Sequence, residues 1–174
     1  MVLPVFYGIF AGAAGGVVYA GYFAGGASST TVDKFAFSDD SRTTLGTGLS
    51  ASTNELAAMA NSGTAGYTGG GNASGLTTTV NKFLFVDDSR TTLGTGLSAA
   101  RTSLAAMANS GTAGYFGGGN SSGTTVDKFA FSDDSRTTLG TGLSSARGDK
   151  LGGMANSGTA GYFGGGYDTT TLVD

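Results

Sequence analysis

The chain has 174 residues, a net charge of −3 and 12% charged residues, with 33 glycines and neither cysteine nor histidine. The missing residue types exclude thiolate and imidazole catalysis, disulfide bonds and nearly all zinc chemistry. The net negative charge argues against nucleic-acid binding, which usually requires a basic surface. A content of 39% hydrophobic residues, with 11 Phe and 7 Tyr, favours a packed core.

The first part of the chain, Val2 to Ala27, is mostly apolar and carries no charged side chain. A membrane helix or a signal peptide could have this composition, but no Lys or Arg precedes Lys34, as a signal peptide would require. Ala20 to Gly26 also aligns with the phrase AGYFGGG found at Ala113 and Ala160. We therefore interpret the stretch as a diverged copy of a repeat and expect no membrane span.

Two phrases then alternate along the rest of the chain. The first reads TVDKFAFSDDSRTTLGTGL at Thr31 and Thr125 and TVNKFLFVDDSRTTLGTGL at Thr79, so its copies are 48 and 46 residues apart. The second, MANSGTAGY, follows each copy, at Met59, Met107 and Met154. A fixed period of this size is the signature of a repeat architecture.

Each unit is predicted to contain four short strands separated by turn residues. Asn109-Ser110-Gly111 and Ser132-Asp133-Asp134-Ser135 have the composition of tight turns. In the third unit, the predicted strands are Leu104 to Ala108, Thr112 to Phe116, Thr124 to Phe131 and Arg136 to Leu139.

The unit resembles a blade of the kelch class of β-propeller, whose period is about 50 residues. The resemblance is carried by Tyr115-Phe116-Gly117-Gly118, Val126-Asp127-Lys128-Phe129, Asp133-Asp134, Leu139 and Arg147. The chain departs from the family at Leu45, Leu93 and Leu139, where a Trp is usual. It also has Thr53 where later units have Arg101 and Arg147, so any salt bridge of that arginine is expected to be missing from one blade.

These observations predict an all-β fold, a kelch-like β-propeller of about four four-stranded blades forming a single repeat domain. Its expected parts are residues 1–49 (a diverged N-terminal segment plus the first blade), 50–97 (the second blade), 98–143 (the third) and 144–174 (an incomplete fourth). The fourth unit is one strand short, and Val2 to Tyr7 could supply that strand. It would close the ring within the chain or between subunits.

Repeated acidic residues are the first candidates for a chemical site. The pairs are Asp39-Asp40, Asp87-Asp88 and Asp133-Asp134. They lack the alternating ligands of a calcium loop, and their recurrence does not suit catalysis, which needs one asymmetric constellation. We interpret them as turn residues. An arginine follows each pair closely, and we expect it to meet those carboxylates or a neighbouring blade; these arginines are Arg42, Arg90 and Arg136. We predict no enzyme activity, no catalytic residue, no metal site and no cofactor.

The glycine runs lack the lysine and the helix of a phosphate-binding loop. We assign the structural role of ending strands at close blade contacts to Gly69, Gly70, Gly117, Gly118, Gly164 and Gly165. The loops after the first two runs vary in sequence and length, and such loops on a rigid scaffold are frequent binding sites. The candidate surface-binding residues are Asn72, Ser74, Asn120, Ser121 and Ser122, which suit weak, multivalent contact with glycans or a cell surface.

The nearly identical Gly-, Ser- and Thr-rich units also resemble repeats in proteins assigned to the virions of aquatic tailed phages. That resemblance implies a non-enzymatic structural or adhesive component of a phage particle, such as a fibre, tail or capsid-decorating protein, located in the virion or outside the cell. Its expected partners are other virion proteins and further copies of itself. The alternative is a soluble kelch-like propeller that acts as a protein–protein interaction module in a cell.

Overall fold

The computed structural model describes residues 19–26, 29–120 and 123–166, and in these residues the regular structure consists of β-strands without a helix. The strands are β1 (Ala20–Ala24), β2 (Val32–Ala36), β3 (Arg42–Thr44), β4 (Ala57–Asn61), β5 (Ala65–Gly69), β6 (Val80–Leu84), β7 (Arg90–Thr92), β8 (Ala105–Asn109), β9 (Ala113–Gly117), β10 (Val126–Ala130), β11 (Arg136–Thr138), β12 (Leu151–Asn156) and β13 (Ala160–Gly165). The predicted closing strand at Val2 to Tyr7 lies outside the described residues.

The strands form antiparallel meanders, in which each strand pairs with the next one along the chain. The first sheet is β1-β2-β3, the second β4-β5-β6-β7, the third β8-β9-β10-β11 and the fourth β12-β13. An all-β chain built from four-stranded antiparallel sheets in sequence is consistent with a β-propeller-like fold. No described helix is long and apolar enough to span a bilayer.

The four strands predicted for the third unit are present as β8 to β11, with ends that differ from the prediction by at most two residues. The turn between β8 and β9 forms because the N–H of Thr112 donates to the carbonyl of Asn109 at 3.0 Å, and Gly111 adopts a φ of 80°. In the turn between β10 and β11, the Asp133 carboxylate accepts the N–H of Ser135 at 3.0 Å, and Asp134 lies in the left-handed region with a φ of 59°. Short aspartate side chains tolerate both roles.

The hydrophobic core is divided among the spaces between consecutive sheets. Between the second and third sheets, Met59 and Tyr67 pack in one cluster with Phe116 and Phe129. A second cluster joins the first sheet to the second, and a third joins the third sheet to the fourth. Since each sheet buries its faces against its neighbours, the array is stabilised mainly by contacts between units.

Glycine allows two of these close approaches. A Cβ at Gly69 would lie 2.7 Å from Cζ of Phe116, and a Cβ at Gly117 would lie 2.7 Å from Cζ of Phe163. The end of β5 therefore leaves room for a ring of the next sheet, and β9 repeats the arrangement. Any larger residue at these positions would have to displace a buried phenylalanine.

Candidate functional site

The first candidate loop connects β5 to β6 and presents polar residues to solvent. Asn72 is exposed, its side-chain oxygen accepts the N–H of Gly75 at 2.9 Å, and its backbone pairs with Asn54. Ser74 is also exposed and adopts a φ of 71°. Local hydrogen bonds thus hold the loop in shape and leave the Ser74 side chain accessible.

The equivalent loop after β9 is engaged with the chain that follows it. The side-chain amide of Asn120 donates to Asp149 at 2.9 Å, and its backbone N–H donates to the carbonyl of Thr102 at 2.9 Å. Ser121 and Ser122 lie outside the described residues. Among the described residues, no hydrogen bond joins Asn72 or Ser74 of the first loop to Asn120 of the second.

A small cavity lies near the first loop, and a larger one lies elsewhere between two sheets. One of about 20 Å³ lies beneath the first loop, where Thr53, Thr68 and Asn81 line it. Another, of about 300 Å³, lies between the third and fourth sheets beside Met107 and Tyr115. Across the described ranges, no three acidic residues come together in a group that could hold a metal ion.

A buried ion pair fixes the connection between the second and third sheets. The guanidinium of Arg101 donates to the Asp127 carboxylate at 2.8 Å and to the carbonyl of Phe116 at 3.1 Å. Asp127 also accepts from the N–H and the hydroxyl of Ser98, at 3.0 and 2.9 Å, and from Thr138 at 2.7 Å. Burial lowers the pKa of Arg101 and the charge of Asp127 opposes that shift, so the pair is a structural tie with all its carboxylate oxygens occupied.

The second sheet lacks this ion pair, as the sequence predicts from Thr53. Asn81 takes the position of Asp127, and its side-chain oxygen accepts from Arg90 at 3.3 Å and Thr92 at 3.0 Å. Thr53 and Asn81 line the cavity of about 20 Å³ in the space that an arginine would fill. Both members of the pair have therefore changed together, which avoids a buried charge without a partner.

The fourth sheet receives the equivalent arginine. Arg147 is buried, and its guanidinium donates to the carbonyls of Phe163 at 3.4 Å and Gly165 at 3.3 Å. The backbone N–H of Gly119 donates to the carbonyl of Arg147 at 2.9 Å. This residue thus joins the third and fourth sheets, as Arg101 joins the second and third.

The two members of each acidic pair have different roles. The first one caps its own turn: Asp39, Asp87 and Asp133 each accept the N–H of the serine two residues later at 3.0 Å. The hydroxyl and the N–H of that serine lower the pKa of the carboxyl. In the second and third pairs, the second member, Asp88 or Asp134, reaches the preceding sheet.

The second aspartate of the pair bridges two sheets through a tyrosine and a lysine. Asp134 accepts the hydroxyl of Tyr67 at 2.7 Å and the ammonium of Lys82 at 2.7 Å, and that ammonium lies 5.5 Å from the centroid of the Tyr67 ring. Asp88 makes the same contacts with Tyr22 and Lys34, both at 2.8 Å. Burial, and then the hydrogen bond and charge of the aspartate, raise the pKa of Tyr22 and Tyr67.

The arginines that follow the acidic pairs do not contact them, so that part of the prediction is wrong. Arg42 donates to Asp33 at 3.1 Å and Arg90 donates to Asn81, because each side chain extends along its own strand pair toward β2 or β6. Arg136 does reach the neighbouring unit, where it donates to the carbonyl of Gly96 at 2.7 Å. The carboxylates of Asp88 and Asp134 bind a tyrosine and a lysine instead.

Comparison with known proteins supports the fold. No family model matches the chain, and no curated protein matches it. Among solved structures it is similar to YjhT, with a TM-score of 0.64 and 17% identity over 83% of this chain and 47% of that one. It is also similar to U3-55K, with a TM-score of 0.57 and 18% identity over 88% of this chain and 44% of that one. The chain spans less than half the length of either protein, and likeness at this identity concerns the fold alone.

Proposed function

We propose that the chain is a non-enzymatic structural or adhesive component of a tailed-phage particle: a fibre, tail or capsid-decorating protein. In this proposal its sheets are the blades of a kelch-like β-propeller, about four in number, closed by an N-terminal strand within the chain or between subunits. The observation that carries the proposal is that the recurring charged residues form structural contacts between and within the units. Asp88 and Asp134 tie one unit to another, and the pair of Arg101 and Asp127 fixes the connection that leads into the third sheet. These contacts suit a load-bearing scaffold.

The exposed loop after β5 supports an adhesive role. Asn72 and Ser74 are exposed polar residues on a loop whose shape is fixed by local hydrogen bonds. Leu76 beside them is 42% exposed. A surface of this kind, repeated over many copies in a particle, would bind glycans or a cell surface by multivalency rather than by one tight site. Other virion proteins and further copies of the chain are its proposed partners.

The direct test is the composition of purified particles. We expect mass spectrometry of phage particles from the source culture to detect this chain at a fixed ratio to a capsid protein, and labelled antibodies to mark one part of the particle. Recovery of the chain only in the soluble lysate, bound to a cellular protein, would contradict the virion role and favour the alternative of an interaction module inside a cell.

The adhesive role has a separate test on whole host cells. Asn72→Asp keeps the oxygen that accepts from Gly75, and Ser74→Gly keeps a backbone that tolerates positive φ. We expect the double variant to lose avidity for the cells while remaining folded. The control is Ser132→Gly, in the turn between β10 and β11, which is a different turn from the loop under test. Equal cell binding by parent, double variant and control would exclude this loop.

A further inference from the structure

The contacts between consecutive units have a direction, so each unit offers different groups to its two neighbours. In the forward direction, Tyr67 donates to Asp134 of the next sheet, and Met59 packs on Gly114 of the next sheet. In the backward direction, Phe116 packs on Gly69 of the preceding sheet. Each contact occurs again one unit away, as Tyr22 with Asp88, Met107 with Gly161, and Phe163 with Gly117.

The last described sheet exposes its forward groups. Tyr162 and Met154, which correspond to Tyr67 and Met59, are 42% and 56% exposed, whereas Tyr67 and Met59 are each 1% exposed. The hydroxyl of Tyr162 makes no hydrogen bond within the described part of the chain. We call this face, defined by Met154 and Tyr162, the forward end.

The first sheet exposes the complementary groups. Phe23 is 51% exposed, whereas the corresponding Phe116 and Phe163 are 0% and 3% exposed. Asp40 is exposed and has no partner among the described residues. Its φ of 57° equals that of Asp88, so its turn already has the shape that accepts a tyrosine hydroxyl. We call this face, defined by Phe23 and Asp40, the backward end.

We propose that the forward end of one copy binds the backward end of a second copy, head to tail. Tyr162 would donate to Asp40 of the second copy, Met154 would cover Gly21 and Phe23 would pack on Gly164, as their counterparts do inside the chain. Both ends are exposed in the same molecule, so the described residues do not make this pairing within one chain. Two copies joined at both ends would hold about eight units, within the range of closed propellers, and a single joint would leave ends for further copies.

This inference deepens the self-association in the proposed function and does not depend on a virion location. The association itself is measured by mass in solution, by light scattering or sedimentation, over a range of concentrations. We expect the parent to exceed 17.1 kDa as its concentration rises. Phe23→Asp blocks the backward end and Met154→Asp the forward end, so each variant alone is expected to remain at 17.1 kDa.

Mixing the two variants is the decisive step. Each keeps one intact end, so an equimolar mixture should form a one-to-one pair of twice 17.1 kDa and nothing larger. That recovery also shows that both variants are folded. Asp40→Asn, which removes the charge but keeps the turn, should weaken association about tenfold. The control is Val86→Asp: Val86 is 78% exposed and lies between β6 and β7 of the second sheet, and the mass of this variant should follow that of the parent.

Three results would overturn the inference: a parent that stays monomeric at its highest soluble concentration, a mixture that stays at monomer mass, or a Val86→Asp variant that dissociates like Phe23→Asp. Failure of the virion proposal would appear instead in the particle composition, while these masses would be unchanged.

Discussion

The guanidinium of Arg101 lies 2.8 Å from the carboxylate of Asp127, and neither side chain is exposed to solvent. Arg101 comes from the connection that precedes the third sheet, whereas Asp127 lies on a strand inside it. The pair therefore fixes how the incoming chain meets the sheet. The cost of burying both charges is offset only while each keeps its partner.

We expect Asp127→Asn to lower the free energy of unfolding by about 3–5 kcal/mol, because it leaves the guanidinium of Arg101 buried without a counter-charge. The matched control is Asp33→Asn at the same position of β2, where Asp33 pairs with Arg42 and the two side chains are 28% and 55% exposed. That substitution should cost about 0–1 kcal/mol. Denaturant unfolding measures both, and equal losses would refute the role of burial.

Gly69, at the end of β5, is predicted to be required only because the ring of Phe116 in the next sheet packs against it. Gly69→Ala should cost about 1–3 kcal/mol, because the new Cβ would lie 2.7 Å from Cζ of Phe116. The natural chain has Ala24 at the corresponding place, and the next sheet there carries Thr68 in place of phenylalanine. We therefore expect Gly69→Ala to cost almost nothing in a Phe116→Thr background. A double-mutant cycle with additive losses would contradict this steric coupling.

The hydrogen bond between Tyr67 and Asp134 should stabilise the fold, whereas Asp40, in the equivalent turn of the first sheet, should contribute no such stability. Asp134→Asn keeps the left-handed turn but weakens the bonds to Tyr67 and Lys82, so a loss of about 1–3 kcal/mol is expected. Asp40→Asn changes an equivalent turn with a φ of 57° and no partner in the described chain. At concentrations where the protein is monomeric, thermal unfolding should show no loss for this control. A similar loss for both would mean that the effect belongs to the turn.

Tyr67 is predicted to resist ionisation in alkali. Burial and the bond to Asp134 raise its pKa, so its hydroxyl keeps its proton where an unfolded tyrosine, with a pKa of about 10, is ionised. The stability that this bond contributes is fully present below the pKa of the unfolded tyrosine. It declines as the pH rises from there toward the folded pKa. In an absorbance titration with alkali, Tyr67→Phe should remove only tyrosinate absorbance that develops well above pH 10 in the parent. If the variant loses absorbance that develops near pH 10, the tie is not formed.

The sequence predicted the strands of the repeat well because turn residues recur at fixed positions. Asn109-Ser110-Gly111 and Asp133-Asp134 mark both tight turns of the third unit, and β8 to β11 lie between and around them. The coupled change at Thr53 and Asn81 was also visible in the sequence, since the repeats can be aligned with one another. The sequence alone predicts the loss of the arginine but does not identify its partner, because that requires the sheet register.

The bridge from Tyr67 to Asp134 was not predicted from the sequence. Its members are 67 residues apart, and periodicity alone does not say which neighbouring unit a side chain faces. A tyrosine, a lysine and a second aspartate recurring in each unit were the available signal. The candidate loops were predicted by their variability, but the engagement of Asn120 with Asp149 depends on the path of the following connection.

If one sheet is stable only against its neighbours, the isolated fragment 50–97 should not fold. This fragment contains β4 to β7, whose Met59 and Tyr67 are buried in a cluster that includes residues of the third sheet. A fragment of residues 50–143 retains that cluster. We expect the NMR spectrum of an unfolded chain for 50–97 and a dispersed, folded spectrum for 50–143. A dispersed spectrum with cooperative unfolding for 50–97 alone would contradict it.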